Sequence, residues 1–77
     1  MIDEYKIISY GTKAKVRLEN KICDFEIVQS SDVNPSQGKI SPDSPIGSGL
    51  MRKRQNTRFG LILPNRKVLD CEIIKIY

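Results

Sequence analysis

Between Lys13 and Ile27 apolar and polar residues alternate in two runs, and this alternation constrains the fold more than any other feature of the chain. Ala14, Val16 and Leu18 are interleaved with Lys13, Lys15, Arg17 and Glu19, the period-two pattern of a strand with one dry and one wet face. Cys23, Phe25 and Ile27 repeat it against Asp24 and Glu26. Asn20-Lys21 lies between the runs and reads as a tight turn, so the two strands are expected to pair as a hairpin with both dry faces on one core. Lysine or arginine opposite aspartate or glutamate on the wet face would help to fix the register.

The same period returns near the end of the chain. Phe59, Leu61 and Leu63 alternate with Arg58, Gly60 and Ile62, Pro64-Asn65-Arg66 turns the chain, and Leu69, Cys71 and Ile73 alternate with Asp70 and Glu72. At Ile73-Ile74-Lys75-Ile76 the apolar parity flips, which predicts a bulge or a strand buried on both faces. Between the two strand regions, Gln29 to Pro42 is rich in Ser, Asp, Asn, Pro and Gly and reads as a loop of about a dozen residues. Ser44 before Pro45 marks a helix start, because a serine hydroxyl caps a free backbone N–H and proline at the first helical position forfeits no hydrogen bond. Ile46 and Leu50, four apart, are expected to face the sheet, with Gly49 allowing close approach. The helix is expected to end near Lys53 and to be held by packing, since Gly47 and Gly49 each cost about 1 kcal/mol relative to alanine. Strands, one crossing helix and strands again give an α+β domain with an antiparallel sheet packed on one short helix.

A chain of 77 residues makes one domain with a thin core and little room for a deep substrate cavity. No apolar run approaches the roughly 20 residues that span a bilayer. The amino terminus opens with Asp3 and Glu4 rather than a basic and then hydrophobic stretch, so a cytoplasmic protein with no membrane contact is expected. There is no histidine, and Cys23 and Cys71 form no Cys-x-x-Cys pair, which removes the usual zinc sets and leaves two free buried thiols as the expectation. The missing histidine also excludes Cys-His and Ser-His nucleophilic pairs. Lys39, the one base near the serines of the loop, would be hydrated and protonated there. Gly38-Lys39-Ile40-Ser41 does not complete a phosphate-binding loop, because Val33 stands where that motif needs its first glycine. Asp24, Glu26, Asp70 and Glu72 alternate on wet strand faces and read as salt-bridge partners. No catalytic centre, metal, cofactor or small-molecule substrate is expected.

Thirteen basic against nine acidic residues give a net charge of +4, and the excess lies after the helix start, in Arg52-Lys53-Arg54, Arg58 and Arg66-Lys67. Such a balance favours an acidic partner, either a protein surface or a nucleic acid. Arg52, Lys53, Arg54, Arg66 and Lys67 are the candidates for a weak nucleic-acid contact, which salt would weaken through counterion release.

The order of Phe25-Glu26-Ile27-Val28, Gln37-Gly38-Lys39-Ile40-Ser41, Ser44-Pro45-Ile46 and Gly49-Leu50, followed by strands closing at Tyr77, resembles the C-terminal domain of the bacterial GreA/GreB transcript cleavage factors over nearly the whole chain. The resemblance implies one Gre-type C-terminal domain over residues 1–77 with an FKBP-like fold. It does not bring isomerase activity, since those enzymes line their pocket with aromatic rings and this chain has no tryptophan, two phenylalanines and three tyrosines. In the family, a coiled coil with an acidic tip enters the secondary channel of RNA polymerase and helps to hold a magnesium ion for RNA hydrolysis. No counterpart of it occurs in the sequence, so stimulation of transcript cleavage is not expected of these residues alone. What the resemblance implies for them is docking on bacterial RNA polymerase at the rim of the channel, against the β′ coiled coil.

The positions that match the family's shared loop and helix start are Gly38, Lys39, Ile40, Ser41, Asp43, Ser44, Pro45 and Ile46, and these are the expected polymerase contacts. Ser44 and Pro45 also start the helix, Gly38 suits a positive φ, and Ile46 and Leu50 suit a core, whereas Asp43 and Lys39 have no packing duty. The chain departs from the family pattern at Arg52-Lys53, where relatives have Gly-Lys, at Gln55-Asn56, where they have an acidic turn, and at Pro64-Asn65-Arg66, where they have Pro-Gly-Gly. Each departure shifts charge to the basic side. A stand-alone form would be similar in logic to the regulator of nucleoside diphosphate kinase and would compete with Gre factors.

Overall fold

The computed structural model describes residues 6–77. Five strands and one helix follow in the order β1 Lys13–Leu18, β2 Lys21–Ile27, β3 Lys39–Ile40, α1 Pro45–Leu50, β4 Arg58–Ile62 and β5 Val68–Ile76. The strands form one sheet in the order β3-β2-β1-β5-β4. The α+β class read from the periodicity holds, with one correction to the sheet. β3 runs parallel to β2, through Glu26 opposite Lys39 and Ile27 opposite Ile40, so the sheet is mixed rather than purely antiparallel. Two residues are too few to display a period in sequence, and β3 sits inside the stretch expected to be a loop.

The first hairpin has the expected faces. Ala14 lies opposite Phe25 and Val16 opposite Cys23 on the dry side, while Lys13 opposes Glu26 and Lys15 opposes Asp24 on the wet side. The turn falls one residue earlier than expected, since Leu18 already pairs with Lys21 and leaves Glu19-Asn20 as the connection. Glu19 takes a φ of 54. It is held there by β5, where its N–H donates to the Asp70 carbonyl (2.8 Å) and its carboxylate accepts from the Asp70 N–H (2.6 Å).

The parity flip near the end is a bulge. Val16 pairs with Ile73 and Lys15 with Lys75, so Ile74 faces no residue of β1 and the strand resumes with Ile76 buried. The core gathers Val16, Ile27, Leu50, Leu61, Cys71 and Ile73, each no more than 1% exposed, and Ile8 from the segment before β1 joins them. Fully burying side chains of this size stabilises by about 1.5–3 kcal/mol each. Both cysteines are free thiols. Cys71 is buried as expected, whereas Cys23 is only half-buried. The amino-terminal Asp3 and Glu4 lie outside the described residues. No helix among the described residues is long and apolar enough to cross a membrane.

The helix stops at Leu50, three residues short of the expected end. Met51 has already moved to a ψ of 136, and Arg52 takes a φ of 67. The cause is tertiary. The Arg52 N–H donates to the Ile8 carbonyl (2.7 Å) and the Ile8 N–H to the Lys53 carbonyl (2.9 Å), which draws the chain out of the helix to pair with the segment before β1.

Candidate functional site

The stretch from β2 to α1 is pinned at nearly every residue. Pro35–Gln37 forms a 3-10 turn ending on Gly38, which has a φ of 77. A side chain there would place its Cβ 2.2 Å from the Asp24 carbonyl oxygen, so Gly38 is required by both its backbone and its neighbour. The Gly38 carbonyl accepts from Glu26 N–H and the Ile40 carbonyl from Val28 N–H, both at 2.8 Å. Asn34 and Lys39 exchange two backbone hydrogen bonds, at 2.8 and 3.1 Å. The supposed loop is therefore a strap on the sheet edge.

Ser44 then does two things at once. Its Oγ accepts from the Gly47 N–H (3.0 Å), which is the expected N-cap, and donates to the Ser41 carbonyl (2.8 Å). Gly47 is buried, and a Cβ there would lie 2.0 Å from the Ser41 oxygen, so turn and helix are locked backbone against backbone. Gly49 gives the close approach expected of it, with Leu61 atoms 2.8 Å from where its Cβ would be.

At the start of α1 the strap meets the turn between β4 and β5. Together they enclose a groove of about 520 Å³. Ile40, Ser44, Pro45 and Ile46 form one wall with Pro35, and Leu63, Pro64 and Asn65 form the other. Six of these eight residues are proline or aliphatic. The two polar ones are turned to their own backbone, since Ser44 Oγ is engaged as described and Asn65 Oδ1 accepts from the Lys67 N–H (3.0 Å). Such a groove selects by shape and apolar contact. Among the described residues no group of three His, Cys, Asp or Glu side chains converges to hold a metal.

The structure thus brings together four of the residues singled out from the sequence, Ile40, Ser44, Pro45 and Ile46. Gly38 and Ser41 act through their backbones, as scaffold. Lys39 is half-buried and Asp43 exposed beside the groove, and neither side chain makes a hydrogen bond or ion pair with the described residues. Pro35, Leu63, Pro64 and Asn65 were not anticipated. Their prolines were visible, but only the fold shows that residues 35, 45 and 64 meet.

The basic residues divide into two groups. Arg52, Lys53 and Arg54 precede β4, and Arg66 and Lys67 lie in the turn after it, so the strand separates them. Lys53 Nζ sits 4.6 Å from the centre of the Phe59 ring and is engaged there. Across the outer face, Arg17 contacts Asp70 and Glu72 at 3.3 Å, and Arg58 pairs with both oxygens of Asp70 at 3.1 and 3.2 Å. The Arg58 guanidinium, by its hydrogen bonds above all, holds the Asp70 carboxyl below the usual aspartate range. Burial pushes the Cys71 thiol up to about 11.

The geometry is that of a small α+β domain carrying an apolar groove where its helix begins. The chain matches the family described as transcription elongation factor, GreA/GreB, C-term over residues 3–77. It is 34% identical over 82 residues to the transcription elongation factor GreA of Clostridium novyi, covering 99% of this chain and 51% of that protein. It is 34% identical over 71 residues to GreA of Chloroflexus aggregans, covering 90% and 45%. Among solved structures, the prokaryotic transcription elongation factor GreA/GreB from Nitrosomonas europaea superposes with a TM-score of 0.70 at 25% identity, over 91% of this chain and 59% of that one. The GreA factor homolog 1 (Gfh1) of Thermus thermophilus shares the fold, with a TM-score of 0.75 at 20% identity over 94% and 49%. The protein belongs to the GreA/GreB C-terminal domain family. It spans about half the length of the curated relatives it matches.

Proposed function

We propose that this chain is an RNA polymerase-binding domain of Gre type, which docks at the rim of the secondary channel against the β′ coiled coil and does not by itself stimulate transcript cleavage. One observation carries the reading. Ile40, Ser44, Pro45 and Ile46, which the resemblance implies as polymerase contacts, are assembled into one wall of a preformed apolar groove, on a strap whose backbone is fixed to the sheet. A groove held rigid before binding loses little conformational entropy when a partner is seated. Lys39 and Asp43 stand beside it with no competing partner among the described residues, suited to set orientation by charge.

The test is retention of bacterial core RNA polymerase by the immobilised chain, compared with Asp43→Arg, Lys39→Glu and Pro45→Asp. Each substitution is expected to weaken retention by about tenfold or more, as truncating or reversing an interface contact commonly does. The wild-type chain is expected to displace a full-length GreA relative from polymerase without supporting cleavage. Undiminished retention in all three variants would remove the groove and its flanks as the docking surface.

A further inference from the structure

We infer that the free edge of β4 is a second binding surface, which takes an extended, acid-flanked protein segment as an added strand. Among the described residues the edge is open by the phase of the ladder. In the β4–β5 pair, Leu63 N–H donates to the Lys67 carbonyl and Ile73 N–H to the Thr57 carbonyl, so the hydrogen-bonded positions are 57, 59, 61 and 63. The N–H and C=O groups of Arg58, Gly60 and Ile62 therefore point away from β5, and β4 is the last strand of the sheet. None of them bonds to any described residue. All three residues are exposed, Ile62 at 70%, beside Val68 at 58%. The opposite edge is different, since β3 has two residues and Asn34 folds back onto Lys39 to cover it.

The charge pattern selects the occupant. From Ser44 to Leu69 the chain has six basic residues and no acidic one. Arg58 opens β4 and pairs with Asp70, and the other five flank the strand, Arg52, Lys53 and Arg54 before it and Arg66 and Lys67 after it. A second copy of this chain is disfavoured by the same pattern. Antiparallel β4 pairing would set Arg66 and Lys67 of one molecule beside Arg52 and Arg54 of the other, and parallel pairing would set each cluster against itself. A nucleic acid fits less well, because phosphates accept hydrogen bonds and would leave the carbonyls of Arg58, Gly60 and Ile62 unpaired. A peptide strand supplies donors and acceptors in the alternation that this edge presents. Ile62 and Val68 then cover an apolar side chain at the centre of the added strand, and acidic residues at its two ends meet the basic clusters.

The experiment uses a blocked synthetic peptide with a Val-Thr-Val-Thr-Val centre and paired aspartates at each end, titrated into the chain and followed by amide hydrogen exchange in NMR. Protection is expected to rise at Arg58, Gly60 and Ile62 and to stay unchanged at Phe59 and Leu61, whose amides already bond to β5. A peptide with lysines in place of the aspartates is expected to bind at least about tenfold more weakly. Ile62→Pro removes an outward-facing donor without breaking a β4–β5 bond, so the variant should fold, as circular dichroism will show, and should bind the peptide about tenfold more weakly. Ile62→Lys provides a second variant that keeps the donor and loses the apolar contact. No protection of the three amides, equal binding of the lysine-flanked peptide, or protection by single-stranded oligothymidylate in place of the acidic peptide would overturn the inference. None of these results depends on polymerase docking at the groove.

Discussion

Replacing Ser44 with alanine tests how the groove is held. Two hydrogen bonds of the Ser44 hydroxyl disappear together, one from the Gly47 N–H and one to the Ser41 carbonyl. Loss of a serine N-cap costs about 1 kcal/mol, and loss of an ordinary intramolecular hydrogen bond costs about 1 kcal/mol more. Gly47 is buried, so water does not readily replace the cap. The Ser41 carbonyl keeps the Ser44 N–H at 3.2 Å, which limits the second loss. The sum is about 1–2 kcal/mol, and for a domain of this size it lowers Tm by about 4 to 16 °C. Urea denaturation should show a lower midpoint at unchanged slope. Ser44→Thr, which retains donor and acceptor, should lie close to the wild type, and Ser44→Asp, which caps but cannot donate, should lie between the two. An alanine variant within about 0.3 kcal/mol of wild type, well below the usual cost of a lost cap, would refute the reasoning that this hydroxyl locks the turn to the helix.

Gly38→Ala should destabilise by more than about 2 kcal/mol, because a left-handed backbone and a collision with the Asp24 carbonyl coincide there, and thermal melting will measure it. Cys23 should react with a thiol reagent in the native protein while Cys71, buried and pushed up to about 11, stays protected until the domain unfolds, and peptide mapping after labelling distinguishes them. The Asp70 carboxyl, lowered mainly by its hydrogen bonds to Arg58, should add stability that is complete above the ordinary aspartate value of about 3.9 and is lost as pH falls through the lower folded value. An NMR titration should place it below the exposed carboxylates, and Arg58→Ala should move it back up.

Much of the fold was legible because alternation is a strict rule. A one-residue slip would have exposed Val16 and Ile27, so the dry and wet faces of the first hairpin followed from its pattern although its turn did not, and the flipped parity at Ile73-Ile74 pointed to a bulge or a doubly buried strand, of which β5 has the bulge. The Ser44 cap and the Gly49 approach were equally visible, since each rests on a local chemical need. What escaped was set by distant partners. The end of α1 depends on Ile8 pairing with Arg52 and Lys53, and the phase of the first turn depends on Asp70 holding Glu19. The far wall of the groove escaped for the same reason. Pro64 and Asn65 read as an ordinary turn until the sheet order carries that turn to the start of α1.

The central claim is that the groove at the start of α1 faces RNA polymerase, and site-specific photo-crosslinking tests it most directly. A benzophenone side chain placed at Asn65, exposed on the groove wall, or at Asp43 beside it should capture the β′ subunit of core polymerase. The same probe at Ile22, exposed on β2 away from the groove, should capture little. Capture from Ile22 alone, or with equal yield from all three positions, would contradict the account.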